Sequence, residues 1–342
     1  MSTVPPGPAV PPDTAVPPSA PKPPNGPAVP ASPPAAPATL AGAAAGTVPG
    51  KAPGGEVGGA PVPGWRFALS TFAENRLAVA SLAVLALIFA FCFLGPFFYH
   101  TNQTSADLML QDLPPSTAHL LGTNSDGFDE LGRLMLGGQS TLEVALASAV
   151  LSTVVGLAWG LVAGYVGGIV DAILMRIVDA VLAIPFLFFV VLLASLVTPT
   201  RWLIILVITS VSWLETARLV RAETLSLRTR DYVKAAAGYG TGRFRILLRH
   251  ITPNLIGILA VGASLKIADS VEIYVSMSYL GLGLPPPATD WGTLLAEGIN
   301  DLFDNYWWQL WPAAFFIVLT VLAVSMLGDG LRDAVEGRLR RR

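Results

Sequence analysis

The amino-acid sequence predicts an all-α, polytopic membrane protein with six transmembrane helices. Three observations support this fold class. The 342 residues are 53% hydrophobic and only 13% charged, whereas soluble domains are about 25% charged. The apolar residues are gathered into charge-poor runs whose lengths approach the roughly 20 residues that a spanning helix needs. Lys and Arg are concentrated in alternate segments between those runs.

Residues 1–64 are predicted to be a disordered cytoplasmic tail. They are rich in Pro, Ala and Gly and contain almost no aromatic residues. Such a segment cannot bury enough apolar surface to offset the entropy lost on ordering. It also lacks the basic start and compact apolar region of a signal peptide. Two interpretations stay open: a passive extension, or a polyproline-like segment that binds an SH3-like partner.

The remaining segment, 65–342, is predicted to form one membrane domain. Charged residues bound or interrupt its apolar runs and so locate the spans. The predicted spans cover 77–99, 144–170, 177–200, 202–220, 251–275 and 305–328.

Basic residues orient these spans, because short cytoplasmic loops carry an excess of Lys and Arg. The segment 221–250 and the C-terminus are arginine-rich, whereas the segments on the other side carry only Arg133 and Arg201 and many acids. Both termini are therefore predicted to lie in the cytoplasm, with the chain in the cell (inner) membrane.

Small residues recur every fourth position along the second predicted span. This spacing places them on one helix face, where a neighbouring helix can approach closely. The residues are Ser148, Ser152, Gly156, Gly160, Gly164 and Gly168.

The fourth and fifth predicted spans carry ionisable residues, which are costly in lipid and usually face a cavity or a partner. Lys266 and Asp269 are three residues apart, so they can pair across one helical turn. Glu215 lies on the fourth span. Two interpretations stay open: these three side chains line a transport path, or they form an internal ion pair near a helix end.

The loop 221–250 is basic, contains several glycines and lies between two spans. Asp231 is predicted to be the N-cap of a short helix that Gly238 and Gly240 end. Ala235, Ala236 and their neighbour Ala237 give this helix a flat face that suits a groove on another protein. The residues alone leave two interpretations open: a docking site, or an ordinary positively charged cytoplasmic loop.

This loop resembles the EAA loop of membrane subunits of bacterial ABC importers, in the family that takes up dipeptides, oligopeptides and nickel. The positions that align with this motif are Lys234, Ala235, Ala236, Gly240 and Pro253. Lys234 replaces the glutamate of the motif. Two further segments resemble the same family: 121–129 is similar to its LGTDxxGRD run, and 279–283 to its FLGLG run.

The resemblance implies a type I ABC importer permease fold and a C-type subunit. It also implies a homologous permease as heterodimer partner, two cytoplasmic ABC ATPases and an extracytoplasmic substrate-binding protein. ATPase coupling would fall to Asp231, Lys234, Ala235, Ala236, Gly240 and Pro253. The chain itself would be a transport subunit for peptides or related small ligands, with no catalytic residue and no cofactor.

The residues give less support to nucleotide binding, to a metal cluster or to nucleic-acid binding. No P-loop motif is present, the single cysteine excludes a Cys-based metal cluster, and the basic runs fit membrane topology rather than nucleic-acid binding. The alternative from another class is an ATP-independent secondary transporter or channel. Such folds tend to contain inverted repeats, and this sequence has no internal duplication.

Overall fold

The computed structural model describes residues 72–103, 105–185, 188–189 and 199–340, with side chains described as far as residue 334. These residues belong to one compact unit. The predicted tail 1–64 and much of the predicted third span, 177–200, lie outside the described residues.

Helices account for all the regular structure in the described ranges. The α-helices are α1 (Arg76–Phe98), α2 (Glu130–Val166), α3 (Gly168–Leu182), α4 (Arg201–Leu227), α5 (Asp231–Gly238), α6 (Arg243–Ile246), α7 (Thr252–Met277), α8 (Trp291–Asn300) and α9 (Trp307–Arg340). Short 3-10 turns lie at Leu108–Leu110 and Leu302–Asp304, and π-helical turns at Leu247–Ile251 and Ser278–Leu282.

Five helical segments among the described residues are long and apolar enough to cross a membrane. They are Arg76–Phe98, Glu130–Val166, Arg201–Leu227, Arg243–Leu282 and Trp307–Ala334. The prediction of an all-α, multi-pass membrane protein is confirmed at this level.

The second span differs from its predicted bounds, 144–170. Helix α2 begins at Glu130 and ends at Val166. The prediction began the span after Glu143, because this charged residue interrupts the apolar run. In the structure, Glu143 and the buried Arg133 both lie within the helix. At the other end, Gly167 and Gly168 have φ values of 70° and 58°, a left-handed conformation that stops the helix.

The small-residue face of α2 packs directly on α4. A Cβ atom at Gly156 would lie 2.6 Å from the Thr216 Cβ, and one at Gly160 would lie 2.5 Å from the Ala217 carbonyl oxygen. No side chain fits at either position, which confirms the predicted close packing. Gly168 is the exception, because it lies beyond the helix break and a Cβ there would meet nothing within 4 Å.

Helix α8 packs near the beginning of α2, which is about 55 Å from the end of this 37-residue helix at a rise of 1.5 Å per residue. Trp291 is fully buried, and its ring N–H donates to the Leu134 carbonyl at 3.0 Å. Asp290 caps the helix by accepting a hydrogen bond from the Thr293 N–H at 3.0 Å. This region forms the far end of the bundle, opposite the end that carries α5.

Candidate functional site

Helix α5 is attached to the bundle through one inward side chain. Val233 is 3% exposed and packs in an apolar cluster contributed by α2, α4, α7 and the segment between α5 and α7. The other buried members of this cluster are Leu161, Val220, Ile246, Ile251, Leu255 and Leu259. Val233 therefore joins α5 to the ends of several long helices. This contact was not predicted, although Val233 is the only aliphatic residue larger than alanine in α5.

The N-terminus of α5 corrects one prediction. Arg230, with φ −68° and ψ 145°, is the capping residue, and its carbonyl accepts from the Val233 and Lys234 N–H groups at 3.0 and 3.1 Å. The prediction that Asp231 is the N-cap is wrong, because the helical hydrogen bonds begin one residue earlier. Asp231 lies in the first turn, where its negative charge still favours the helix dipole.

The C-terminus of α5 is closed by Gly240, as predicted. Gly240 has a φ of 80°, and its N–H donates to the Ala237 carbonyl at 3.0 Å. The next N–H, that of Thr241, donates to the Ala236 carbonyl at 3.1 Å. These two bonds make a Schellman motif, which requires the left-handed residue. Gly238 is the last helical residue.

The outward side of α5 exposes small residues, Ala235, Ala237 and Gly238, beside the larger exposed side chains of Asp231, Tyr232 and Lys234. Ala236 is partly buried. Tyr239, just past the helix, is 91% exposed. The alanine patch offers backbone and methyl groups with little relief, which a groove on a second protein can cover, and the larger side chains lie beside it.

Pro253 is exposed and is the second residue of α7. Proline lacks an N–H, so the preceding turn cannot keep regular helical hydrogen bonding. The chain forms a π-helical turn just before it, at Leu247–Ile251, and two side chains donate to carbonyls of that turn. The Thr252 hydroxyl donates to the Leu247 carbonyl at 3.0 Å, and the Asn254 amide donates to the His250 carbonyl at 2.7 Å. Helix α7 thus continues from α6 without a loop.

The three predicted intramembrane ions form one cluster between α4 and α7. Lys266 Nζ lies 2.5 Å from Glu215 Oε2 and 3.1 Å from Asp269 Oδ2. The predicted Lys266–Asp269 pair is present, and Glu215 is joined to it. The lysine side chain is 12% exposed, whereas the Glu215 and Asp269 side chains are 72% and 50% exposed. Carboxylates this exposed on spanning helices require water or another protein on that face.

Two further ion pairs, which were not predicted from the sequence, connect α3 to α4. Arg221 binds Asp171 through two hydrogen bonds, of which the Nη2–Oδ2 bond is 2.6 Å long. Arg218 Nη2 lies 2.5 Å from Asp179 Oδ1. The hydrogen bonds from Arg221 lower the pKa of the Asp171 carboxyl. The paired residues lie 50 and 39 residues apart in the sequence, so no local spacing indicated these pairs.

The far end of the bundle is organised around Arg133. Its Nη1 donates to the Pro287 carbonyl at 3.1 Å, its Nη2 lies 3.8 Å from Glu297 Oε1, and its guanidinium lies 4.7 Å from the centre of the Phe128 ring. Burial raises the pKa of the Glu297 carboxyl, and the Arg133 charge opposes that rise. Arg133 thereby connects α2, the loop that contains Pro287, and α8.

The segment 121–129 is a compact turn. Asn124 Oδ1 accepts hydrogen bonds from the Asp126 and Phe128 N–H groups at 3.2 and 2.9 Å, and Asp129 caps α2 by accepting from the Gly132 N–H at 2.8 Å. Asn124 replaces an aspartate of the LGTDxxGRD run, and it stabilises the turn by accepting these two hydrogen bonds with its side-chain oxygen. Nearby, a cavity of about 460 Å³ is lined by residues of 278–300, among them Glu297.

Comparison with known proteins gives two family matches and several similar chains. The protein-family model described as "Binding-protein-dependent transport system inner membrane component" matches residues 156–341. The model described as "N-terminal TM domain of oligopeptide transport permease C" matches residues 65–115.

Similar chains include the oligopeptide transport system permease protein OppC of Haemophilus influenzae, which is 38% identical over 274 residues, covering 80% of this chain and 88% of that protein. The Escherichia coli K12 protein of the same name is 39% identical over 274 residues, covering 80% and 90%. The dipeptide transport system permease protein DppC of Bacillus subtilis is 36% identical over 268 residues, covering 78% and 84%.

Proposed function

The chain belongs to the family of binding-protein-dependent transport system inner membrane components, and from that premise we propose that it is a permease subunit of an ATP-driven peptide importer. The similar chains that carry a substrate in their names are oligopeptide and dipeptide permeases. The chain would form half of a translocation path, and a homologous permease would form the other half.

The proposed topology has six spans and cytoplasmic termini. The arginine-rich character of 221–250 and of the C-terminus supports it. In this orientation α5 lies at the cytoplasmic face, and the end around Arg133 and α8 faces outward. A substrate-binding protein would deliver its ligand to that outer end, at 121–133 and 281–301.

The observation that carries the proposal is the attachment of α5. Its small-residue face is uncovered, while Val233 fixes its inner side to the ends of long helices. An ATPase docked on Ala235 and Ala236 would push or pull those helices when nucleotide binding changes its shape. Asp231 and Lys234 would supply polar contacts, and Gly240 and Pro253 would hold the ends of the segment in place.

Glu215, Lys266 and Asp269 are proposed to line the path. The exposed carboxylates need an aqueous or protein environment, and a path between two permease subunits provides it. The chain's own task is then a shift between outward-open and inward-open states, and ATP hydrolysis takes place in the separate ATPase chains.

The test is peptide uptake in cells that lack this chain. Radiolabelled di- and tetrapeptides should accumulate only after complementation with the wild-type chain, and a variant with arginine at Ala235 should reach the membrane without restoring uptake. Uptake that persists when cellular ATP is depleted but an ion gradient remains would instead support a secondary transporter.

A further inference from the structure

The segment between α5 and α7 presents an apolar stripe bordered by arginines. Phe244 is 75% exposed and Leu248 is 52% exposed. They are four residues apart, so they lie on the same side of the helical segment. The exposed side chains of Arg243, Arg245 and Arg249 adjoin them in the sequence.

These three arginines differ from the arginines that hold the long helices and their loops together. The Arg133, Arg218 and Arg221 side chains each bind a carboxylate or a carbonyl. In contrast, the side chains of Arg243, Arg245 and Arg249 make no hydrogen bond or ion pair with any residue in the described ranges. The sequence around them is also free of acids, since no Asp or Glu occurs between Asp231 and Asp269. Three adjacent positive charges are left available to an external anion.

The apolar stripe is continuous with a spanning helix. The π-helical turn Leu247–Ile251 joins α6 to α7 without a loop, and 243–282 forms one candidate span. On α7 the exposed side chains of Pro253 and Ile256 follow Leu248 along the segment. Phe244 lies only about 18 Å along the helix from Ile256, at a rise of 1.5 Å per residue. The stripe is therefore continuous with the exposed apolar surface of α7.

We infer that the segment 243–249 lies in the membrane interface and binds anionic phospholipid headgroups. Phe244 and Leu248 would enter the acyl-chain region, while the guanidinium groups of Arg243, Arg245 and Arg249 bind lipid phosphates. Amphipathic segments with aromatic or leucine side chains on one face and basic residues on the other take this position. The guanidinium fork also matches the geometry of phosphate oxygens.

A lipid occupant fits this surface better than an ATPase does. The proposed ATPase surface is the alanine face of α5, which is small and flat, whereas the 243–249 surface carries bulky apolar side chains continuous with a spanning helix. The inference uses the proposed cytoplasmic placement of α5, but it is independent of which substrate the importer carries.

The first test measures lipid binding by the full-length chain purified with its partner subunits. We expect the variant R243Q/R245Q/R249Q to bind fluorescent phosphatidylglycerol about tenfold more weakly than wild type, since each basic residue near an anionic surface contributes to binding. Binding of phosphatidylcholine should not change. Arg230→Gln is the matched control, because it removes an exposed arginine at the same end of the bundle but outside the stripe.

Unchanged phosphatidylglycerol binding by the triple variant would overturn the inference. So would a variant that binds this lipid normally but no longer retains its ATPase subunits, since the arginines would then belong to that interface. The variant R243K/R245K/R249K provides a second measurement if the glutamine variant fails to assemble. It should keep most of the lipid binding, and complete loss would contradict the role of charge.

The second test locates the stripe without using transport activity. The single cysteine of this chain, Cys92, is buried, so a fluorophore can be attached selectively to Leu248→Cys in the purified chain before the complex is reconstituted. We expect lipid nitroxides to quench this label more strongly than aqueous iodide does. Phe303→Cys is the water-facing control, because Phe303 is 95% exposed and lies between α8 and α9, at the far end of the bundle from α5. Equal iodide quenching at both positions would show that the stripe lies outside the membrane.

Discussion

Lys266 on α7 lies 2.5 Å from Glu215 on α4 and joins two of the long helices. The same ammonium group also contacts Asp269 at 3.1 Å. One cation therefore balances two carboxylates, and removing it leaves both without a partner.

We expect Lys266→Gln to lower the amount of folded protein in the membrane more than Glu215→Gln does. The glutamate variant keeps the Lys266–Asp269 pair, whereas the lysine variant leaves two carboxylates uncompensated. The double variant should recover part of the loss, with a coupling energy of about 1 kcal/mol. Thermal stability of the purified complex measures this cycle, and strictly additive effects would contradict the pairing.

Gly160→Ala should destabilise the packing of α2 on α4. A Cβ there would lie 2.5 Å from the Ala217 carbonyl oxygen, so the helices would have to separate. Overpacking of this kind costs about 1–3 kcal/mol. Gly262→Ala is the matched control, because Gly262 also lies in a long helix but a Cβ there meets nothing within 4 Å. Equal thermal stabilities of the two variants would contradict the close approach.

Gly240→Ala should weaken coupling through backbone strain alone. Gly240 has a φ of 80° and has open space around it, so the methyl group causes no clash. The strain is about 1 kcal/mol. Gly240→Asn should be better tolerated, because asparagine adopts this conformation more readily. Transport-stimulated ATPase activity should follow the order glycine, asparagine, alanine, and an alanine variant with full activity would contradict the importance of the Schellman closure.

Asp171→Asn should remove an acid-sensitive contribution to stability. Because Arg221 lowers the pKa of Asp171 in the folded state, the pair contributes stability above the ordinary aspartate pKa of about 3.9. This contribution is lost as the pH falls through the lower, folded-state pKa. The Tm difference between wild type and the asparagine variant should therefore be constant near neutral pH and shrink below about pH 4. A difference that grows on acidification would have the wrong sign.

Local spacing was sufficient for the features that depend on neighbours in the sequence. The apolar runs predicted a helical membrane protein, the four-residue spacing of Gly156 and Gly160 predicted close packing, and Gly240 marked the end of α5. The Lys266–Asp269 pair also followed from its spacing of three residues.

Contacts between distant segments were not predictable in the same way. Glu215 and Lys266 are 51 residues apart, and Asp171 and Arg221 are 50 apart, so their pairing depends on how the helices pack. Trp308 shows the same limit. It is 7% exposed, and its ring N–H donates at 3.2 Å to the carbonyl of Thr123, which lies 185 residues earlier in the sequence.

The most direct test of the proposed coupling is site-specific photo-crosslinking from Ala235 in intact membranes. A photoreactive amino acid at this exposed position should form an adduct with an ABC ATPase subunit, whereas the same group at Phe303, 95% exposed at the far end, should not. An adduct from Phe303 but none from Ala235 would contradict the assignment of α5 as the ATPase docking site.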